Sequence, residues 1–195
     1  MRLIYKSRWY KTGCVLRYFL VKLWHRKRFS CSTLSMIGKR CGIYIFSAGK
    51  ISCKGRIIVN DDVMLYAKGD LLIGERFGIN QYSRIVCHEK ITIGDNVTIG
   101  QFVSILDHDH RYLFKDSAME LDGYTTAPVS IGDNVWIADK CTILKGVSIG
   151  NNVVIGANTL VHRDVPDNVV VGGVPCKILK KLNHSDKPNP SSLTS

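Results

Sequence analysis

The chain has 195 residues, 45% of them hydrophobic, which is enough for a single domain with a well-developed core. Its formal net charge of +11 is unevenly spread, because fourteen Lys and Arg residues precede Asp61, the first acidic residue, and the remainder is slightly acidic. This distribution argues against nucleic-acid binding by the folded body. Seven cysteines without CxxC spacing argue against a disulfide framework or a zinc site and indicate a reducing, cytosolic compartment.

The basic segment, residues 1–40, contains an apolar stretch from Cys14 to Trp24. The stretch is too short to span a membrane, is interrupted by Arg17 and Lys22, and lacks the cleavage pattern of a signal peptide. Its large apolar residues recur at helical spacing: Leu16, Phe19, Leu20, Leu23 and Trp24. The sequence predicts a basic amphipathic helix that caps the end of the following domain, contacts anionic lipid at the inner face of the membrane, or does both.

A six-residue repeat of aliphatic residues governs residues 41–172. Its strictest run is Ile131, Ile137, Ile143, Ile149, Ile155 and Val161. A period of six fits neither an amphipathic helix nor an alternating strand. It is typical of a parallel β-helix, in which each hexapeptide forms one side of a coil and points one aliphatic side chain inward. Pairs such as Asp95-Asn96 and Asp133-Asn134 are interpreted as corner residues that tolerate left-handed backbone.

Two interruptions of the repeat mark candidate functional segments. The repeat skips from Ile105 to Ile131, so residues 107–128 are predicted to leave the coil as a loop. It stops after Val161, and residues 173–184 are predicted to form a turn and a short helix. Residues 185–195 are rich in Ser, Pro, Asn and Lys and are predicted to be disordered.

Residues 131–181 read IGDNVWIADKCTILKGVSIGNNVVIGANTLVHRDVPDNVVVGGVPCKILKK and closely resemble the hexapeptide-repeat acyltransferases. The resemblance covers about residues 70–182 and is strongest to the maltose/galactoside O-acetyltransferases and the O-acetyltransferases of polysaccharide biosynthesis. It implies an all-β fold, a left-handed parallel β-helix, with a basic N-terminal helical segment, one extruded loop and a short C-terminal helix completing this chain. It also implies a homotrimer that uses acetyl-CoA as co-substrate.

The extruded loop opens with Asp107-His108-Asp109-His110, and the family places its catalytic histidine where the loop leaves the coil, which indicates His110. A sugar hydroxyl is a poor nucleophile at neutral pH, and a neutral imidazole can accept its proton as it attacks the thioester. His108 is the competitor. In an extended strand both histidines point to one side and Asp107 and Asp109 to the other, where a carboxylate can orient one imidazole.

Other interpretations of these residues stay open. The two histidines could bind a metal, although no third ligand is evident, or belong to a polar loop without chemistry. Cys87 or Cys141 could act as an acyl-accepting nucleophile, although neither has a base nearby in sequence.

Two residues are candidates for the acceptor site. Asn80 matches a substrate-contacting asparagine of the sugar acetyltransferases, and equally suits a corner of the coil. His88 stands where that branch has an acidic residue, which indicates an acceptor other than a simple galactoside or maltose.

The resemblance assigns coenzyme A binding to the second half of the chain. The residues concerned are Trp136, Ala138, Asp139, Ala157, Arg163, Lys177 and Lys180. The tryptophan is expected to line the donor groove or to pack under the loop. The alanines would let the pantetheine arm approach free backbone groups, and the three cations would neutralise the phosphates. A backbone amide near the corner from Trp136 to Ala138 is expected to stabilise the oxyanion.

The sequence therefore predicts a cytoplasmic O-acetyltransferase that moves acetyl from acetyl-CoA to a hydroxyl of a sugar, nucleotide-sugar or lipid-linked saccharide in surface polysaccharide biosynthesis. One alternative is acetylation of another small acceptor, such as an antibiotic, an amino sugar or serine. The other is a non-catalytic β-helix scaffold.

Overall fold

A computed structural model describes residues 7–46 and 48–182 of the chain. It contains α1 (Arg8–His25) and a 3-10 turn at Arg26–Arg28. The strands follow in chain order: β1 (Phe29–Cys31), β2 (Met36–Ile37), β3 (Gly42–Ile45), β4 (Lys50–Cys53), β5 (Ile57–Val59), β6 (Met64–Ala67), β7 (Asp70–Ile73), β8 (Phe77–Ile79), β9 (Arg84–Cys87), β10 (Lys90–Ile93), β11 (Thr98–Ile99), β12 (Ser104–Leu106), β13 (His108–Lys115), β14 (Ala118–Thr126), β15 (Val129–Ile131), β16 (Trp136–Ile137), β17 (Thr142–Ile143), β18 (Ser148–Ile149), β19 (Val153–Ile155), β20 (Leu160–Val161), β21 (Val169–Gly172) and β22 (Lys177–Lys181).

These strands wind into a parallel β-helix with three faces, which confirms the predicted architecture. The first face is β1-β4-β7-β10-β15-β18, the second β2-β5-β8-β11-β16-β19-β21-β22, and the third β3-β6-β9-β12-β17-β20. The repeat residues stack on one another from coil to coil, as Ile79, Ile99 and Ile137 do on the second face. All three are fully buried, so the six-residue repeat forms the apolar core that holds the coils together.

The corners are built by side chains that cap the next coil, as the sequence predicted. Asn96, Asn134, Asn152 and Asn168 occupy left-handed backbone and join their side-chain amides in a ladder. At the preceding position the Asp133 carboxylate accepts the Asp95 backbone N–H at 2.7 Å. These hydrogen bonds account for the Asx residues as structural elements.

The coil begins earlier than the predicted boundary at residue 41, because β1 already pairs with β4. The helix α1 covers this end of the coil with Cys14 and Tyr18, and the Tyr18 ring lies 6.3 Å from that of Phe29. The predicted apolar stripe that includes Leu23 and Trp24 is therefore not the capping face, and it lies exposed on the outer side of α1. No helix in the described ranges combines the length and apolarity that a membrane crossing needs.

Two further segments differ from the prediction. Residues 107–128 leave the coil as predicted, but they form an antiparallel hairpin of β13 and β14, turned at Asp116-Ser117. The short helix predicted at residues 178–182 is wrong, because β22 pairs antiparallel with β21 and covers the backbone edge at the end of the second sheet. The predicted disordered tail, residues 185–195, and residues 1–6 of the basic segment lie outside the described residues.

Candidate active site

The hairpin is anchored to the coil by Asp107, whose side chain is completely buried. Its carboxylate accepts backbone N–H groups of His88, Glu89 and Lys90 at 2.7, 2.8 and 2.9 Å. One carboxylate oxygen also lies 3.5 Å from Nδ1 of His108. Asp107 therefore fixes the corner that carries His88 and the strand that carries His108, which is more than the orienting role predicted for it.

Three histidines gather at the root of the hairpin. His88 and His108 stack with ring centroids 3.8 Å apart and an interplanar angle of 4°, since they occupy the same position on successive coils. The rings of His108 and His110 lie 6.4 Å apart, and both contact Tyr124 of β14. The two hairpin histidines thus share one side, as expected for an extended strand. Asp109 lies 3.5 Å from Nζ of Lys145.

The environments of the histidines differ. Burial lowers the pKa of His88, and the neighbouring His108 and Lys68 lower it further, which favours a neutral ring. Nδ1 of His108 is buried and has no hydrogen-bond partner among the residues that the structure describes. His110, in contrast, is exposed at the root of the hairpin. His110 is consequently the imidazole that an acceptor hydroxyl reaches most directly.

Several residues of this site were missed by the sequence reasoning. Lys68 lies one coil below His88, and its Nζ stands 5.1 Å from the Tyr124 ring centroid. Lys145 Nζ donates to the Thr125 hydroxyl across the base of the hairpin. The spacing gave a signal for Lys68, because His88 and His108 follow it at intervals of 20 residues, the length of one coil.

Asn80 is held by the coil itself. Its side-chain oxygen accepts a hydrogen bond of 2.8 Å from the Asn60 amide, and Asn60 is buried. This contact accounts for Asn80 as a corner residue and leaves its amide nitrogen for a ligand.

The predicted donor cations meet at the C-terminal end of the coil. Arg163 and Lys177 line a surface cavity of about 360 Å³ together with Val165, Cys176 and Ile178. The Arg163 guanidinium donates to the Cys176 carbonyl at 2.8 Å, and Lys180 lies farther along the same strand as Lys177. Arg163 follows β20, two strands beyond β12 on the third face, so it lies roughly 10 Å along the coil axis from the hairpin root.

The other residues predicted to bind the donor differ in their exposure and in the hydrogen bonds that they make. Trp136 is 54% exposed and does not pack under the hairpin as a buried side chain, and Ala157 is exposed. The Ala138 N–H is not free, because it donates to the Ile155 carbonyl at 2.9 Å in the ladder between coils. Asp139 accepts the Gln101 backbone N–H at 2.8 Å, which is a corner contact. The Ala138 N–H is therefore not available to a ligand, and the use of other backbone groups near Ala138 and Ala157 by pantetheine or an oxyanion stays a prediction.

The cysteines do not resemble activated nucleophiles. Cys87 and Cys141 are fully buried, and burial raises the pKa of both thiols. Among the residues that the structure describes, no group of three or more His, Cys, Asp or Glu side chains is arranged to hold a metal ion.

Comparison with known proteins finds similarity to acyl-transferring enzymes. The family model "bacterial transferase hexapeptide (six repeats)" matches residues 128–163. A Saccharomyces cerevisiae protein named as an acetyltransferase is 39% identical over 136 residues, 69% of this chain and 68% of its own. Galactoside O-acetyltransferase of Escherichia coli is 42% identical over 59% of this chain and 56% of its own. WbbJ of Escherichia coli, named for O-acetyl transfer in lipopolysaccharide biosynthesis, is 35% identical over 63% of this chain and 66% of its own.

The chain thus spans between about half and two thirds of the length of these relatives. Among solved structures, AntD, an N-acyltransferase of Bacillus cereus in complex with dTDP and coenzyme A, has a TM-score of 0.70 at 21% identity, with 85% of this chain and 89% of its own covered. A maltose O-acetyltransferase of Clostridium difficile has a TM-score of 0.50 at 26% identity, with 94% and 90% covered. The first of these likenesses concerns the fold alone.

Proposed function

The chain belongs to the hexapeptide-repeat family of bacterial transferases, and we propose that it transfers acetyl from acetyl-CoA to a hydroxyl group of a sugar. The observation that carries the proposal is the position of the histidine cluster. It lies at the root of the hairpin, on the same corner of the coil as Arg163, which lines the cationic cavity roughly 10 Å farther along. One ligand lying along this corner can place its phosphates in the cavity and its thioester at the histidines.

His110 is the proposed general base. It is exposed, it packs at 4.6 Å against Tyr124, and it can take a hydroxyl proton while the oxygen attacks the thioester carbonyl. The transfer is direct: the tetrahedral intermediate collapses, the C–S bond breaks, and the proton passes to the leaving thiolate. His108 is the alternative base, because a carboxylate oxygen of Asp107 lies close to its Nδ1.

Donor binding is assigned to the cavity that contains Arg163 and Lys177, with Lys180 beside it. Two or three cations suit a pyrophosphate and a 3′-phosphate. Trp136 is exposed on the second face, away from the corner that carries the histidines and Arg163, so its predicted role in donor binding stays a prediction.

The acceptor is proposed to be a nucleotide-linked or lipid-linked saccharide of surface polysaccharide biosynthesis, handled in the cytoplasm where acetyl-CoA is available. The names of WbbJ and galactoside O-acetyltransferase support a carbohydrate acceptor. His88 offers a hydrogen bond to it, whereas Asn80 follows β8 at a different corner of the coil, so its predicted contact with the acceptor stays a prediction.

One assay tests the function and the base together. Purified protein is incubated with acetyl-CoA and a panel of sugars, nucleotide sugars and diphosphate-linked saccharides, and free thiol is followed. Acceptor-dependent release is expected, and His110→Ala is expected to lower kcat by about 10²–10⁴-fold. Lys115→Ala, on the same hairpin, is the control and keeps the rate. Mass spectrometry with hydroxylamine treatment separates an O-ester from an amide product.

Each failure of this assay has a distinct meaning. The absence of acceptor-dependent release across the panel would favour the scaffold interpretation. An amide product would make an amino sugar or antibiotic the acceptor. Loss of activity in His108→Ala with full activity in His110→Ala would transfer the role of base to His108.

We also propose that the active form is a homotrimer. The hairpin projects from the coil with large exposed apolar side chains, among them Tyr112, Phe114, Met119 and Leu121. An extruded two-stranded ribbon gains stability when such residues are covered, and a neighbouring copy of the chain is the proposed cover. Light scattering is expected to give three times the chain mass of 21.8 kDa, and a monomer would reject this assembly.

Contact with an anionic membrane is proposed for the outer side of α1. Leu23 and Trp24 are 70% and 84% exposed there, and the helix carries basic residues without any acidic one. Apolar side chains flanked by cations are suited to the interface of an anionic bilayer.

A further inference from the structure

The histidine cluster is one end of a longer line of outward-facing side chains at a single corner of the coil. The strand register of the third face puts Phe46, Lys68, His88 and His108 at the same position on four successive coils. Because neighbouring strands lie about 4.8 Å apart, the line is roughly 14 Å long. It runs from the histidines toward the N-terminal end of the coil, away from the cationic cavity.

The N-terminal part of this line presents aromatic faces. The ring of Tyr66 lies 5.7 Å from that of His88 and 4.7 Å from that of Phe46. The Tyr44 ring follows at 6.5 Å from Tyr66. Tyr44 and Phe46 are 51% and 43% exposed, so part of each ring is accessible to a ligand. Exposed aromatic rings in a row match the apolar faces of successive sugar rings.

The line also contains a cation placed beside the histidines. Lys68 Nζ stands 5.8 Å from the Tyr66 ring centroid and 5.1 Å from that of Tyr124. It forms no ion pair with a carboxylate in residues 7–46 and 48–182. A lysine held between aromatic rings without an acidic partner suits an anionic group of a ligand.

The donor and the acceptor are assigned to opposite sides of the hairpin along this corner. The cationic cavity with Arg163 lies on the C-terminal side of the hairpin and is the proposed place of the donor phosphates. The N-terminal side is left for the part of the acceptor that does not react. We propose that Tyr44, Phe46, Tyr66 and Lys68, here called the acceptor track, bind an extended acceptor whose phosphate or diphosphate group contacts Lys68 while a sugar hydroxyl reaches the histidines. This inference rests on the proposed function and names its substrate class, a saccharide linked to a phosphate group.

Equilibrium binding tests the track without requiring turnover. Calorimetric titrations of the full chain use UDP-glucose, UDP-N-acetylglucosamine and a disaccharide linked through diphosphate to a short prenyl chain, each compared with its free sugar. The diphosphate-linked compounds are expected to bind the wild type more tightly than the free sugars. Lys68→Met is expected to weaken their binding about tenfold, to leave free sugars unaffected, and to be rescued by Lys68→Arg.

Two further variants make the test specific. Lys140→Met removes an equal charge from an exposed corner after β16, away from the track, and is expected to change nothing. Tyr66→Ala is expected to weaken the disaccharide compound more than the single-sugar compounds, because the longer ligand covers more of the track. Tighter binding of the prenyl-linked compound identifies a lipid-linked source, and tighter binding of the UDP sugars a nucleotide-linked one.

The proposal is overturned if no diphosphate-linked compound binds the wild type at millimolar concentration, or if Lys68→Met and Lys140→Met weaken binding equally. The outcome is separable from that of the proposed function. Binding that depends on Lys68 without acetyl transfer rejects the transferase and keeps the track. Acetyl transfer with a KM for diphosphate-linked acceptors that Lys68→Met leaves unchanged keeps the transferase and rejects the track.

Discussion

The imidazoles of His88 and His108 stack face to face, with centroids 3.8 Å apart, although they belong to successive coils. Besides burial, the charge that His108 can carry at this separation lowers the pKa of His88. This relationship couples the protonation of the site to the stability of the corner that Asp107 holds.

Stability is expected to fall as the pH falls from about 7.5 to 5.5. Burial, the nearby His108 and Lys68 lower the pKa of His88 below its ordinary value of 6.5, whereas Asp107 opposes this shift. Above that value the ring is neutral in the folded and unfolded chains. Below it the unfolded chain takes up a proton that the folded chain does not, so folding becomes less favourable until the folded pKa is reached.

The measurement is the urea midpoint at pH 7.5, 6.5 and 5.5 for the wild type and His88→Gln. The variant is expected to lose part of the pH dependence. His25, whose pKa is also lowered by burial, contributes equally to both proteins and cancels in the comparison. His162→Gln changes an exposed histidine and serves as the control. Parallel pH curves for the wild type and His88→Gln would contradict the assignment.

Replacing Asp107 by Ala is expected to destabilise the protein strongly. Its buried carboxylate receives three backbone N–H groups, and its loss leaves these donors without their acceptor, at a cost of about 3 kcal/mol or more in free energy of unfolding. Asp109→Ala removes an exposed carboxylate beside Lys145 and should cost less than about 1 kcal/mol. Urea denaturation of both variants checks this, and equal losses would show that Asp107 does not anchor the corner.

The predictable part of this molecule is the part governed by nearest-neighbour stacking. Ile93 and Ile99 could be assigned to the core because every coil repeats the environment of the one before it. The proximity of His88 to His108 was predictable as well, since their separation in sequence equals the length of one coil. The position of Lys68 beside His88 follows from the same spacing of 20 residues. It was not predicted as a site residue because a single lysine belongs to no recognisable motif.

The segments at the two ends depended on tertiary contacts that the sequence does not express. Helix α1 carries two apolar stripes at helical spacing, one with Cys14 and Tyr18 and one with Leu20 and Leu23, and apolarity alone does not say which one packs on the coil. The run from Ile178 became a strand because the open edge of β21 supplied hydrogen-bond partners. Tyr124 reaches the histidines through the register of the hairpin, which its turn at Asp116 sets.

The donor assignment predicts a selective loss of affinity for acetyl-CoA. Arg163→Met and Lys177→Met should each raise the KM for acetyl-CoA about tenfold, because each removes a charge from the cavity proposed for the phosphates. Acetyl-pantetheine lacks those phosphates, so its KM should not change. Steady-state rates with both donors make the comparison, and Lys140→Met, at an exposed corner elsewhere, is the control. Equal effects on both donors would place the phosphates elsewhere.

Membrane contact by α1 is best tested by substitution, not by deletion. Removing the helix would take away Tyr18, expose Phe29 at the end of the coil and unfold the first strands, so any loss of binding would be uninformative. The double substitution Leu23→Ser and Trp24→Ser changes only the exposed side and leaves the capping face intact. Flotation with vesicles that contain anionic phospholipid is expected for the wild type and should be lost in this variant and at high salt. Flotation that survives the double substitution would show that the outer side of α1 does not bind the membrane.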